Sequence, residues 1–248
     1  MEGEVAAACA GVDESGATGT AQRGPVLQRR WAFRDSTALF CKGALPRDPN
    51  ALREYQVKSL GRLLDAEGRA LSGNAKMPCG ACKTLLALWH AVRLETYTLV
   101  LTSSNMSTLQ WVSQLRRHFE LPADAVLALG TGMPGSTDGR NERHRLLRAR
   151  PLFVICTYHT LTLHGAAGSA VALLRALPHG LLVLDEAQTL VALCFSRALA
   201  IPCTSVLAIS ATFKRQDQRI ELLEQVGPLL IDVLRGLLVS GGFLAEVG

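Results

Sequence analysis

Short apolar runs separated by amphipathic stretches fill the middle of the chain and leave few folds open to it. Tyr97–Leu101, Leu152–Cys156, Gly180–Leu184 and Ser205–Ile209 are too short for helices and too uniformly apolar for strands with one wet face. Each therefore reads as a strand covered on both sides, and Val126–Leu129 is a shorter example. Between them, Met106–Phe119 places Leu109, Val112, Leu115 and Phe119 at helical spacing, while Thr84–His90 and Ala170–Ala176 also read as helices. Buried strands alternating with helices predict an α/β fold, a mostly parallel sheet with helices on both faces. The ligand of such a fold belongs at the carboxyl ends of the strands.

Chemistry-bearing residues fall at those ends. The run Gly180–Leu184 continues into Asp185, Glu186, Ala187 and Gln188, and a nucleoside triphosphatase needs one carboxylate for its metal shell and one to position or deprotonate water. Upstream, Met77-Pro78-Cys79-Gly80-Ala81-Cys82-Lys83-Thr84 approaches the phosphate loop G-x-x-x-x-G-K-[ST], with the Lys-Thr pair intact and Cys82 in place of the second glycine. That glycine is where backbone must approach phosphate closely, so Cys82 is expected to weaken binding. Lys83, Thr157, Asp185 and Ser210 all sit at predicted strand ends. One segment resists the scheme: the strand feeding the loop would be Gly73-Asn74-Ala75-Lys76-Met77, where Val and Ile are expected. Burying the Asn74 amide unpaired would cost about 2–7 kcal/mol, and the Lys76 charge more.

The remaining features narrow the class. The chain has 248 residues, enough for a sizeable core, and a net charge of +5 with pI near 9.0 mildly favours a polyanionic partner. Arg140, Arg143, Arg145, Arg148 and Arg150, after a glycine-rich loop at 130–139, could follow a phosphate backbone or form a solvated helix face. Seven scattered cysteines read as reduced thiols of an intracellular protein. The acidic N-terminus is not a signal peptide, and charges interrupt the apolar stretches, so no membrane span is expected. Residues 1–48, where Trp31 and Phe33 are the sole hints of packing, read as a mobile tail. A helix follows Pro49 on Leu52, Tyr55, Leu60, Leu63 and Leu64, with Asn50 as N-cap. Cys79 and Cys82 could also form a redox Cys-x-x-Cys pair, since a helix N-terminus lowers a thiol pKa, but the other motifs have no place in a thioredoxin-like protein. Zinc lacks a second Cys/His pair at ligand spacing.

In order, Arg53-x-Tyr55-Gln56, Pro78-Cys79-Gly80-Ala81-x-Lys83-Thr84, Gln110-Trp111, Thr157-Tyr158, Asp185-Glu186-Ala187-Gln188 and Ser210-Ala211-Thr212 resemble the first RecA-like motor domain of superfamily 2 helicases. The wording at 78–81, Gln110-Trp111, Gly227-Pro228 and Gly242-Phe243 is similar to the XPB type, the DNA translocase of the transcription and repair factor TFIIH. The resemblance implies ATP and Mg²⁺ as cofactors. Gly80, Ala81, Cys82, Lys83 and Thr84 would hold phosphate, with Thr84 and Asp185 on the metal. Arg53 and Gln56 would read adenine, and Glu186 would be the catalytic base beside Lys83. Gln188, Ser210 and Thr212 would couple nucleotide to DNA, while Gln110 and Thr157 would touch the DNA backbone. Trp111 and Tyr158 read as buried core. Implied too are DNA and TFIIH-like subunits as partners and a nuclear location. The expected organisation is a tail at 1–48, an ATP-binding domain at 49–227, and at 228–248 the start of a linker to a second RecA-like domain absent from this chain, leaving the apolar tail at 229–239 uncovered. Departures from the pattern are Cys82, Gln188 in place of His, and Gln216 in place of the acid of an Arg-Glu-Asp motif. Two functions follow: a helicase ATP-binding domain with weakened nucleotide binding, or a degenerate, non-hydrolysing interaction module.

Overall fold

A computed structural model describes residues 44–122, 124–129, 151–161, 174–175, 177, 179–189, 197–212 and 221–244. Of the tail expected at 1–48, residues 1–43 lie outside the described residues, as do the glycine-rich loop and arginine run at 130–150, most of the helix expected at 170–176, and Arg215-Gln216-Asp217; its end is not loose, since Leu45–Pro46 pair antiparallel with Phe119–Glu120.

Among the described residues, the sheet is built from β1 (Gly73–Lys76), β2 (Thr98–Thr102), β3 (Val126–Leu129), β4 (Phe153–Thr157), β5 (His179–Asp185), β6 (Cys203–Ser210) and β7 (Leu229–Asp232). Their order is β3-β4-β2-β5-β6-β1-β7, and every pairing is parallel. Side chains alternate between faces: Val100, Phe153, Ile155, Leu181, Val183, Leu207 and Ile209 enter one core, and Leu99, Leu101, Val154, Cys156, Leu182, Leu184 and Ala208 the other. Burial on both sides is why these runs carry no polar alternation. The first core is closed by α1 (Glu54–Gly61), α2 (Lys83–Arg93) and α3 (Asn105–His118), through Leu60, Leu85, Leu86, Leu88, Trp111 and Leu115. Leu174, Ala198, Ile201, Leu223 and Val226 cover the second. The α/β fold read from the sequence is the fold observed.

Local chemistry sets the helix ends. Ser104 caps α3 by accepting the Ser107 amide at 3.1 Å, and Arg116 and Arg117 sit in its C-terminal turn, where positive charge suits the helix dipole. The expected cap at Asn50 is not used, because α1 starts at Glu54. There the Gln56 side chain reaches back to accept the Arg53 amide at 2.9 Å.

The polar segment before the phosphate loop does form a strand, and its neighbours explain how. β1 lies one strand in from the edge, between β6 and β7. Asn74 is buried, but its Nδ2 donates to the carbonyls of Leu223 at 2.9 Å and Gly227 at 2.7 Å. Lys76 is only half-buried and pairs with Asp232 of the edge strand at 3.1 Å. The amide thus ties the 223–227 turn to the strand that aims the loop. Asn74→Ala is expected to destabilise the chain by about 2–3 kcal/mol by stranding two buried carbonyls, measured as a fall in the urea midpoint at unchanged slope.

The segment expected to begin a linker packs here on the same sheet. β7 extends it beyond β1 with Ile231 fully buried, and α4 (Arg235–Ser240) follows with Leu238 in the first core, while Leu229, Leu234 and Leu237 remain exposed. Among the described residues no helix is long and apolar enough to cross a membrane.

Candidate nucleotide-binding site

The carboxyl ends of β1 and β5 deliver two segments to one rim of the sheet. After β1, Met77 is anchored to β6, its amide donating to the Ser210 carbonyl at 2.9 Å, and the chain turns through Pro78–Ala81 into α2. Gly80 takes φ +83° and Cys82 φ +54°, so the loop uses left-handed backbone at both positions. A glycine adopts this freely, whereas a residue with Cβ is disfavoured by about 1–2 kcal/mol. Cys82 therefore keeps the backbone shape its motif requires, at a cost in strain. Its exposed side chain leans back across the loop, with Sγ 3.7 Å from the Gly80 carbonyl. Lys83 and Thr84, both half-buried, open α2, whose N-terminal amides and dipole favour an anion at this end.

The loop is braced from α1. Tyr55 Oη donates to the Ala81 carbonyl at 3.1 Å, and Gln56 Nε2 reaches the same oxygen at 3.5 Å. With its oxygen on the Arg53 amide, the buried Gln56 amide has both ends engaged within the protein. Arg53 is exposed beside it, donating from Nη1 to the Phe243 carbonyl at 3.1 Å.

From the other side, β5 ends at Asp185, and Glu186 turns the chain with φ +49°, another left-handed residue bearing a Cβ. Strain of this kind clusters at functional sites. Asp185 is 7% exposed, and its Oδ2 accepts the Trp111 indole N–H at 2.7 Å, while Tyr158 Oη donates to the Asp185 carbonyl at 2.9 Å. Burial raises the Asp185 pKa above the ordinary carboxylate value. The indole hydrogen bond and Lys83 oppose the rise, and Glu186 adds to it. Lys83 Nζ lies 3.8 Å from Glu186 Oε1, and Gln188 Nε2 donates to Glu186 Oε2 at 2.7 Å. The three charged groups Lys83, Asp185 and Glu186 thus meet at one rim of the sheet, with Gln188 beside them.

A divalent cation suits this donor set. Among the described residues no group of three or more His, Cys, Asp and Glu could hold a metal alone. Mg²⁺ needs no such cage, since it keeps several waters and takes one or two protein oxygens with the substrate's phosphates. The buried Asp185 carboxylate and the Thr84 hydroxyl supply oxygens of that kind.

The other expected site residues line adjacent ends. Ser210 is buried at the end of β6, where its hydroxyl accepts the Thr212 amide at 3.0 Å and contacts the Thr212 carbonyl; Thr212 is exposed. Ser210 is the register partner of Lys76, so this turn abuts the strand that carries the loop. Thr157 ends β4 largely buried, its hydroxyl 3.3 Å from that of Thr160, and Gln110 stands on the exposed side of α3. In the sequence, Trp111 and Tyr158 read as core residues. Both are buried, yet each also fixes Asp185, a task visible in the sequence only as a polar tip on an aromatic. The pairing of Tyr55 with Phe243, far apart in the chain, has no sequence signal.

No family model matches the chain. It is similar to the XPB helicase/translocase subunit of the general transcription and DNA repair factor IIH of Antonospora locustae, 31% identical over 90% of this chain and 32% of that protein. It is also similar to the TFIIH basal transcription factor complex helicase/translocase XPB subunit of Trypanosoma brucei brucei, 34% identical over 79% of this chain and 21% of that one. The chain thus spans about a third or less of the length of these curated relatives. Among solved structures, the DNA-bound ATP-dependent Type ISP restriction-modification enzyme LlaBIII matches 79% of the chain and 16% of its own, with TM-score 0.58 at 16% identity, which speaks to the fold alone.

Proposed function

We propose, from a chain that is a RecA-like domain akin to the first motor domain of XPB-type superfamily 2 helicases, that it binds ATP with Mg²⁺ and serves as the ATP-binding half of a DNA helicase or translocase. The observation that carries the reading is the convergence of Lys83, Asp185 and Glu186 beside a loop that keeps left-handed backbone at Gly80 and Cys82. In this reading Lys83 leaves Glu186 to neutralise the outer phosphates, and the amides at the start of α2 cradle them. Asp185 and Thr84 would hold the cation, which when bound would offset charge on the phosphate oxygens. Glu186, its carboxylate steadied by Gln188, orients and deprotonates the attacking water. Arg53 and Gln56 lie at the base end. The Ser210–Thr212 turn, bonded to the strand that carries the loop, passes nucleotide state toward DNA held along Gln110 and Thr157. Unwinding needs a second RecA-like domain to close over the nucleotide, and the setting is a TFIIH-like complex in the nucleus.

Cys82 is the departure that tests the reading. Cys82→Gly is expected to relieve about 1 kcal/mol of backbone strain and to tighten Mg²⁺–nucleotide binding about tenfold. Titration of a fluorescent ATP analogue measures the binding, and Lys83→Ala in the same background is expected to abolish it. No binding by Cys82→Gly would leave the alternative, an interaction module that keeps the fold without the chemistry, favoured by the Cβ at that position.

A further inference from the structure

The motif residues supply a phosphate end but little to grip a base, since the Gln56 amide is spent within the protein and Arg53 is turned toward residue 243. We propose, resting on the nucleotide reading above, that Phe243 is a base-stacking residue and that Phe243 and Leu244 form the base-end wall of the nucleotide site.

The placement follows from the end of α4. Gly242 adopts φ +72°, a left-handed turn natural to glycine, and the amides of Phe243 and Leu244 both fold back onto the Leu238 carbonyl, at 2.7 and 3.1 Å. Leu238 is buried in the first core, so the wall rests on a fixed point. The turn sets the Phe243 ring 5.3 Å from the Tyr55 ring and 5.4 Å from the Arg53 guanidinium carbon, which lies over it. Tyr55 in turn holds the Ala81 carbonyl of the phosphate loop. Leu244 Cδ2 lies 2.7 Å from where a Cβ on Gly80 would stand, so the wall meets the loop itself. One half-buried π-face is thereby joined, through a guanidinium and a phenol, to the segment that takes phosphate. Arg53 covers one face of the Phe243 ring too closely to admit a base between them, so the base stacks on the other face of the ring. A planar, electron-rich adenine fits such a surface, and a bare phosphate chain gains nothing from it.

Calorimetry with ADP and with pyrophosphate, on the full chain carrying Cys82→Gly, separates the two ends of the site. Phe243→Leu, which keeps apolar packing and removes the π-face, is expected to weaken ADP about tenfold and leave pyrophosphate unchanged. Phe243→Tyr is expected to bind ADP as the parent does. Unchanged or tighter ADP binding by Phe243→Leu, the latter marking the segment as an obstruction, would overturn the proposal. So would equal weakening of ADP and pyrophosphate, which marks a purely structural effect. Absence of pyrophosphate binding in every chain would instead overturn the nucleotide reading itself, and the wall with it.

Discussion

Asp185→Asn is expected to lower Mg²⁺–nucleotide affinity about a hundredfold or more while raising the thermal midpoint of the nucleotide-free protein. The two effects share one cause. Asp185 is almost wholly buried, and burial lifts its pKa above the value it has in the unfolded chain. The folded protein therefore holds that proton more tightly than the unfolded chain does. The penalty for ionising Asp185 is absent below the unfolded value, grows as pH rises toward the folded one, and is complete above it. Asparagine removes the buried charge yet can still accept the Trp111 indole N–H, so the apo protein gains stability that shrinks as the pH is lowered. What it loses is the anionic oxygen for the cation. Thermal unfolding at pH 7 with and without Mg²⁺–ADP reads both: the variant is expected to melt higher without ligand and to gain nothing from its addition. A variant that melts lower without ligand would show that the carboxylate stabilises the fold, contrary to its buried setting.

Acid is expected to unfold the protein well before its carboxylates are fully protonated. His90 of α2 and His179 at the start of β5 are both buried, and burial pushes each pKa down to about 4. Among the described residues, both nitrogens of His90 and Nδ1 of His179 find no hydrogen-bond partner, while His179 Nε2 lies 2.9 Å from the Leu174 carbonyl. Below pH 6.5 the unfolded chain takes up protons that the folded one refuses. The stability these histidines leave intact at pH 7 is thus lost progressively as pH falls from 6.5 toward 4. Each contributes roughly 3 kcal/mol over that window, so together they approach the whole stability of an ordinary domain. Urea unfolding at pH 7.5 and 4.5 is expected to show most of the stability gone at the lower pH. His90→Leu should remove about half of the difference, because it deletes one of two comparable proton sinks. Equal stability at the two pH values would refute the assignment.

Much of this was legible beforehand, and the residues show why. The runs at 97–101, 152–156, 180–184 and 205–209 declare strands buried on both faces, because no other setting accepts such uniform apolarity, and the structure pairs all of them in parallel. Lys83, Asp185 and Glu186 were placed at strand ends by position alone, and in a parallel sheet all such ends share one rim. Asn50 misled because a good capping residue says nothing of where tertiary contacts start the helix; Gln56 performs the task from inside α1.

Residue order thus determined the layered α/β fold and the rim at which the charged groups meet, since period and burial are local properties that recur wherever such segments form. Only the tertiary structure decided that Asn74 and Lys76 could enter the sheet, through the 223–227 turn and Asp232, far away in sequence. It also decided that Cys82 would hold a glycine's backbone angle, that Trp111 and Tyr158 would fix Asp185, and that Phe243 would stand beside Arg53. Each of these depends on a partner brought close by the folding of the whole chain, and a pairwise distance of that kind leaves no periodic trace in the order of residues.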